Sequence, residues 1–186
     1  MRVITGSAKG IKLKTPEGML TRPTADRVKE ALFSAIQFDL PGGAVLDLFA
    51  GTGQLGIEAL SRGASRAVFV DARQEACELV KENLRRTGLL AQGTVIRADY
   101  LAFLDRCKEQ FSLVLLDPPY AEIFLENALK KISEIDILRK DAIIVTERPL
   151  GKELSGDFPN FERSRDYKYG KIAVTFFRFR GSGKGA

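Results

Sequence analysis

The chain has 186 residues, 45% hydrophobic and 28% charged, with a net charge of +5. That length suits one domain with an ordinary core; no apolar run approaches the ~20 residues of a membrane span, and the N-terminus lacks the apolar stretch of a signal peptide. Histidine is absent, which excludes Ser-His-Asp and Cys-His triads and most zinc sites, and Cys77 and Cys107 are expected as thiols of a cytoplasmic protein rather than as a disulfide.

In chain order, residues 2–4 and 11–13 predict a small β-hairpin across Gly6-Ser7-Ala8-Lys9-Gly10, within an extension over residues 1–20. Thr21-Arg22-Pro23-Thr24 follows. Thr24 is the expected N-cap of a helix whose Val28, Ala31, Leu32, Ala35 and Ile36 recur at helical spacing, and Pro41-Gly42-Gly43 ends that segment. The chain then alternates: strand 45–49, helix 54–62, strand 67–70, helix 74–87, strand 94–97, helix 100–107, strand 113–116, helix 122–135 and strand 142–145. Beyond Pro149 the alternation stops, and 161–168 with 172–179 predict an antiparallel pair. Such alternation implies right-handed crossovers and a Rossmann-like α/β fold. The expected sheet is mostly parallel and seven-stranded, with an antiparallel C-terminal hairpin, all in one domain. Residues 181–186 are expected to be a disordered tail.

Charge is uneven. Residues 1–30 carry a balance of +4 and residues 160–186 one of +5, while the body between them is acidic at −4. Basic ends on an acidic body suit a polyanionic partner such as nucleic acid.

Two motifs carry chemistry. Asp117-Pro118-Pro119-Tyr120 follows the apolar run 113–116, which reads as a buried parallel strand. Each proline lacks an N–H and fixes φ, so the strand ends in a stiff rim bearing a carboxylate, bare carbonyls and a flat ring. Those groups suit gripping a planar molecule by an exocyclic amine, at the strand ends where ligands of open α/β sheets bind. The second motif is Asp47-Leu48-Phe49-Ala50-Gly51-Thr52-Gly53-Gln54-Leu55-Gly56. Gly51, Gly53 and Gly56 satisfy G-x-G-x-x-G between strand and helix, and Asp71 follows twenty residues after Gly51. This spacing also fits a nicotinamide dinucleotide. Asp47, however, is a carboxylate at the end of an apolar strand, costly without a cationic partner and repulsive to a pyrophosphate. S-adenosylmethionine fits better. Its ammonium suits Asp47, its ribose diol Asp71, and its adenine amino group Asp99 at the third strand's end, although Asp99 also reads as a helix N-cap.

The combination resembles the class I S-adenosylmethionine-dependent methyltransferases. Among them it resembles the bacterial family that methylates the exocyclic N2 of a guanine in small-subunit (16S) ribosomal RNA. The resemblance runs through Arg2-Val3-Ile4 with Gly10, the 21–33 segment beginning Thr21-Arg22-Pro23-Thr24, Asp47–Gly53, Leu60-Ser61-Arg62-Gly63-Ala64 and Asp117-Pro118-Pro119-Tyr120. It implies that Arg22 and Thr24 help close the cofactor site, that Gly51 and Gly53 admit the methionine end, that Asp71 holds the ribose and that Asp99 holds the adenine. Phe49, Ala72 and Tyr100 belong to the same cofactor-binding set. Asp117 and the Pro118 carbonyl would grip the target amine, and Tyr120 would stack on the extruded base. Three positions depart from the pattern: Asp71 where glutamate is usual, Arg148 after Glu147 where histidine is common, and Lys171 in Tyr169-Gly170-Lys171 where an acid is common. The last two are expected where RNA could touch.

The expected reaction is direct methyl transfer, which needs no general acid because the leaving thioether is neutral; positioning and desolvation carry it. The expected partner is 16S rRNA or the 30S subunit, with no metal and no membrane, and the protein a monomer. Amino-methylation of DNA adenine or protein glutamine, a nicotinamide-dependent oxidoreductase, and a non-catalytic RNA-binding assembly factor are the other readings of the same motifs.

Overall fold

The computed structural model describes residues 1–16, 23–119, 122–152, 154, 158 and 160–180, with residues 23–25 and 122 as backbone only. The expected tail at 181–186 and the end of the N-terminal extension at 17–20 lie outside the described residues. Chain order is α1 (Pro23–Ala35), β1 (Ala44–Asp47), α2 (Gln54–Ser61), β2 (Arg66–Asp71), α3 (Gln74–Arg86), β3 (Gly93–Arg97), α4 (Tyr100–Arg106), β4 (Phe111–Leu116), α5 (Glu122–Glu134), β5 (Leu138–Pro149), β6 (Phe161–Tyr169) and β7 (Ile172–Phe179). The seven strands form one sheet in the order β3-β2-β1-β4-β5-β7-β6. The first five are parallel, and β7 runs antiparallel between β5 and β6.

The strands are apolar on both faces because helices cover both. Val45, Phe69, Leu113, Leu115, Ile143, Val145 and Val174 join a core with α1, α2 and α3. The alternate residues Leu46, Val68, Val70, Val114, Leu116 and Ile144 pack with α4 and α5. A strand residue's parity therefore fixes its face. Asp47, Asp71, Asp117 and Glu147 all continue the parity of the first core, so these acids leave four neighbouring strands on one side of the sheet.

Two expectations change. Helix α1 begins at Pro23, one residue before the expected cap, so Thr24 lies inside the first turn and does not cap it. A proline at a helix start has no N–H to waste and a φ already suited to the helix. The fifth strand is also longer than residues 142–145, because β7 pairs with it from Arg178 opposite Ile143 to Ile172 opposite Pro149 and carries the ladder past the apolar run.

The N-terminal hairpin is reduced to a single antiparallel bridge, Arg2 to Lys12, with Val3 N–H donating to Ile11 O at 3.0 Å. Its place is set by buried polar groups on the helices. Glu58, wholly buried, accepts the N–H groups of Ile4 (2.8 Å) and Thr5 (3.0 Å) and pairs with Lys29 (3.6 Å) and Arg62 (2.8 Å). Ser61 Oγ accepts from Ala8 N–H and donates to Thr5 O. Asn83 Oδ1 accepts from Lys14 N–H, while its Nδ2 donates to Lys14 O and to Thr52 O. Each bond satisfies backbone that would otherwise be buried without a partner. Asn83 also ties residue 14 to the loop between β1 and α2.

Candidate active site

The carboxyl rim of the parallel strands is organised around the loop 48–53. Gly53 caps α2 with φ 76°, and a Cβ there would lie 3.2 Å from Ile57 and Val80, so the turn admits only glycine comfortably. Gly56 is tighter still. A Cβ on it would stand 2.3 Å from Phe69 Cε1 and 3.1 Å from Asp47 Oδ2. The absent side chain lets α2 sit directly on β1 and β2, so Gly56 N–H reaches Asp47 Oδ2 at 3.0 Å.

Asp47 is 2% exposed and makes no salt bridge among the described residues. Burial pushes its carboxyl up to about 7, the Gly56 N–H holds it partly down, and Asp117 and Asp71 add to the rise. Asp71 is engaged at both oxygens: Oδ2 accepts from Gly51 N–H at 3.0 Å, and Oδ1 from Arg73 N–H at 2.9 Å and Arg73 Nε at 3.2 Å. The second-strand acid therefore braces the glycine loop. Ala72, beside it, is exposed and its carbonyl accepts from Arg97 Nε.

Asp99 caps α4, its Oδ1 accepting from Leu101 N–H at 2.9 Å and Ala102 N–H at 3.2 Å. The capping alternative weighed from the sequence is thus realised through one oxygen. Across the loop from the acids lies an aromatic wall. The Phe49 and Tyr100 rings have centroids 5.1 Å apart, and Phe124 of α5 meets Tyr100 edge-on at 5.8 Å.

Asp117 and Pro118 follow β4 and are half-buried. Leu116 pairs with Thr146, which puts Asp117 level with Glu147 on the next strand. Burial raises the Asp117 carboxyl to about 6; burial and then the charge of Asp117 raise that of Glu147 to about 8. The structure therefore brings Asp47, Asp71 and Asp117 together with Glu147, to which the sequence had given no part in the site. Its signal was present, as an acid one residue beyond the apolar run 142–145, after Thr146. Arg22 and Tyr120 lie outside the described residues, as does the side chain of Thr24.

One expectation about the substrate surface is corrected. Arg148 is not an RNA-facing side chain. It is 8% exposed, donates to Thr175 Oγ1 and the Lys152 carbonyl, and pairs with Asp166 at 3.3 Å. The reason is topological: β7 separates β5 from β6, and a long side chain on β5 crosses it to reach the acid on β6. Lys171, in the turn between β6 and β7, is exposed.

Of these acids only Asp71 has a cationic partner, Arg73; Asp47, Asp117 and Glu147 have none among the described residues, and such a row is unfavourable in isolation. It becomes favourable around a cationic ligand held beside donors of N–H groups. S-adenosylmethionine carries an ammonium and a sulfonium, so the residues present fit it.

Comparisons with known proteins point the same way. The sequence model of the family described as conserved hypothetical protein 95 matches residues 1–178. The Bacillus subtilis protein YlbH is 41% identical over 184 residues, 97% of this chain and all of its own length. A Haemophilus influenzae protein named ribosomal RNA small subunit methyltransferase D is 36% identical over 157 residues, 83% of this chain and 81% of its own. The solved structure of Escherichia coli yhhF superposes with a TM-score of 0.88 at 26% identity, covering 98% of this chain and 99% of that one. The fold itself is that of S-adenosylmethionine-dependent methyltransferases, shared at TM-scores of 0.70 and 0.71 with solved structures only 15% and 14% identical, the latter complexed with S-adenosylhomocysteine.

Proposed function

The chain belongs to the conserved hypothetical protein 95 family, that of the small-subunit ribosomal RNA methyltransferase D proteins, and we propose that it methylates the exocyclic N2 amine of a guanine in 16S ribosomal RNA. The observation that carries this reading is the rim itself: Asp117 leaves β4 near Asp47 of β1, on the side of the sheet that also bears Asp71 and Glu147, while Phe49 and Tyr100 pack with the opposite core. The names of the relatives support ribosomal RNA as the substrate. The basic residues near both ends supply what an RNA backbone needs.

When bound, S-adenosylmethionine supplies an electrophilic methyl group on a cationic sulfur. Asp47 would take its ammonium, and the backbone of Gly51 and Gly53 would lie against its methionine end. Asp71 would share an oxygen with the ribose, and Asp99 the oxygen not used in capping with the adenine. Phe49 and Tyr100 would line the ring, Ala72 would border the ribose edge, and Arg22 and Thr24 would close the site.

Asp117 and the Pro118 carbonyl accept the two N–H groups of the target amine. Those two bonds favour a pyramidal nitrogen whose lone pair faces the methyl group to be transferred. Asp117 also stabilises the positive charge that develops on nitrogen, a half-buried setting strengthens that interaction, and the methylated nitrogen then releases its surplus proton to the Asp117 carboxylate and from there to water. Tyr120 would stack on the flipped base, returning roughly 1–3 kcal/mol of the unstacking cost.

The test is tritium transfer from labelled cofactor to naked 16S rRNA, 30S particles, duplex DNA and release factor, followed by mass spectrometry of the RNA nucleosides. N2-methylguanosine in small-subunit RNA is expected. Label in DNA or protein alone would overturn the reading. Asp117→Ala should abolish transfer while cofactor affinity changes less than about threefold, since the amine grip and the cofactor cradle use different residues.

A further inference from the structure

One acid of the rim has no role in the chemistry above. Glu147 stands level with Asp117 on the neighbouring strand and leaves the sheet on the same face. Among the described residues its carboxylate has no hydrogen-bond or salt-bridge partner, and burial and then the charge of Asp117 raise it. It opens into a small cavity lined also by Val28, Lys29 and Leu32 of α1, Gln54 and Leu55 of α2 and Ile172 of β7; the Lys29 ammonium there is already committed to Glu58 and the Arg2 carbonyl. An acid in such surroundings is expensive unless a ligand brings it a hydrogen-bond donor.

The chemistry of the bases says which donor. Adenine, cytosine and guanine each carry an exocyclic amine. In adenine and cytosine the ring nitrogen beside it on the pairing edge is an acceptor. In guanine that nitrogen, N1, bears a hydrogen. A carboxylate placed next to the group that holds the amine therefore meets a donor in guanine and a lone pair in the other two.

Resting on the reading of the site as a guanine N2 methyltransferase, we propose that Glu147 selects the base: its carboxylate accepts the ring N1–H while Asp117 and the Pro118 carbonyl hold the adjacent amine. The two acids thus read neighbouring donors of one edge. This adds a repulsive element against adenine and cytosine as well as an attractive one for guanine. A site built around a substrate N–H discriminates strongly against an analogue without it, because its own polar group is left unpaired.

The test uses 2-aminopurine, which keeps the 2-amino group of guanine but has no hydrogen on N1. Ribosomal RNA fragments carrying guanine or 2-aminopurine at the methylated position, located first by mass spectrometry, are compared as substrates. The wild-type protein should prefer guanine at least tenfold in kcat/KM. Glu147→Gln, whose amide donates as readily as it accepts, should lower kcat/KM for guanine about ten- to a hundredfold and bring the two substrates within about threefold of each other. Its cofactor affinity should stay near the wild-type value, and its melting temperature should be no lower than that of the wild type, since the variant removes a buried charge. Glu147→Asp retains the acceptor and should keep the preference at a reduced rate. If Glu147→Gln preserves the wild-type preference, Glu147 acts only on Asp117 and the inference fails. If the wild-type protein puts no methyl group on guanine N2 at all, the underlying reading fails first, and that outcome is seen in the wild-type arm alone.

Discussion

Replacing Asp47 by asparagine separates the cost of the buried charge from its use. The asparagine keeps an acceptor for the Gly56 N–H, which now holds the carboxylate at 3.0 Å, and removes only the ionisable group. The Asp47 carboxyl rises from its ordinary 3.8 to about 7, chiefly through burial. Between about pH 4 and pH 7 the folded state thus holds a proton that the unfolded chain has already released, and stability falls as pH rises through that window. At 1.36 kcal/mol per pH unit, the full cost at pH 8 is about 4 kcal/mol. In urea unfolding without cofactor, Asp47→Asn should be more stable than wild type by about 2–4 kcal/mol at pH 8, and by only about 1–1.5 kcal/mol at pH 5. Cofactor should largely close the gap. At a hundred times its dissociation constant a ligand adds about 2.7 kcal/mol to the wild type, and the variant, lacking the counter-charge for the ammonium, should gain little. An equal or lower stability of the variant at both pH values, with unchanged cofactor binding, would refute the view that Asp47 is held at a cost for a cationic ligand.

Three other outcomes follow from the same geometry. Gly56→Ala forces a methyl group onto the Phe69 ring, 2.3 Å from Cε1, and should destabilise by about 1–3 kcal/mol in denaturant unfolding; calorimetry should show weaker cofactor binding as Asp47 is displaced. Glu58→Ala leaves the Lys29 and Arg62 charges buried without their acid and frees two N–H groups of the N-terminal segment. It should cost about 3–5 kcal/mol and speed hydrogen exchange at Ile4 and Thr5. Because Asp117 and Glu147 are raised to about 6 and about 8 and act as ionised acceptors, kcat/KM should climb from pH 6 to pH 8.5; a flat profile would mean that neither must ionise.

Much of the site was legible because each acid at the rim interrupts or ends an apolar run. Asp47, Asp71 and Asp117 announce themselves as carboxylates placed where a buried strand stops, and strand parity then assigns them one face. Glu147 carries the same signature, but its strand continues to Pro149 through pairing with β7, and that pairing is invisible in local pattern. Arg148 was misplaced for a related reason. Its partner Asp166 lies eighteen residues away on β6, two strands over, and the order β5-β7-β6 depends on contacts that no periodicity encodes. Glu58 and Asn83 were unreadable in a different sense. On an amphipathic helix, polar residues are ordinarily solvated, and these are buried because the backbone of residues 4, 5 and 14 lies against them, with Lys29, Arg62 and the Thr52 carbonyl as further partners.

The insertion of β7 between β5 and β6 also bears on the order in which the protein is made. The five parallel strands and their helices are complete by Pro149, but the outer edge of β5, with Ile143, Ile144 and Val145, stays open until residues 172–179 emerge and dock. A nascent chain paused before that point presents a flat apolar edge of the kind that pairs with other chains. The same docking completes the wall beside Glu147, because Val174 is its partner on β7. The last strand synthesised in the sheet therefore both seals the aggregation-prone edge and finishes the site, so truncated chains should be sticky and inactive together.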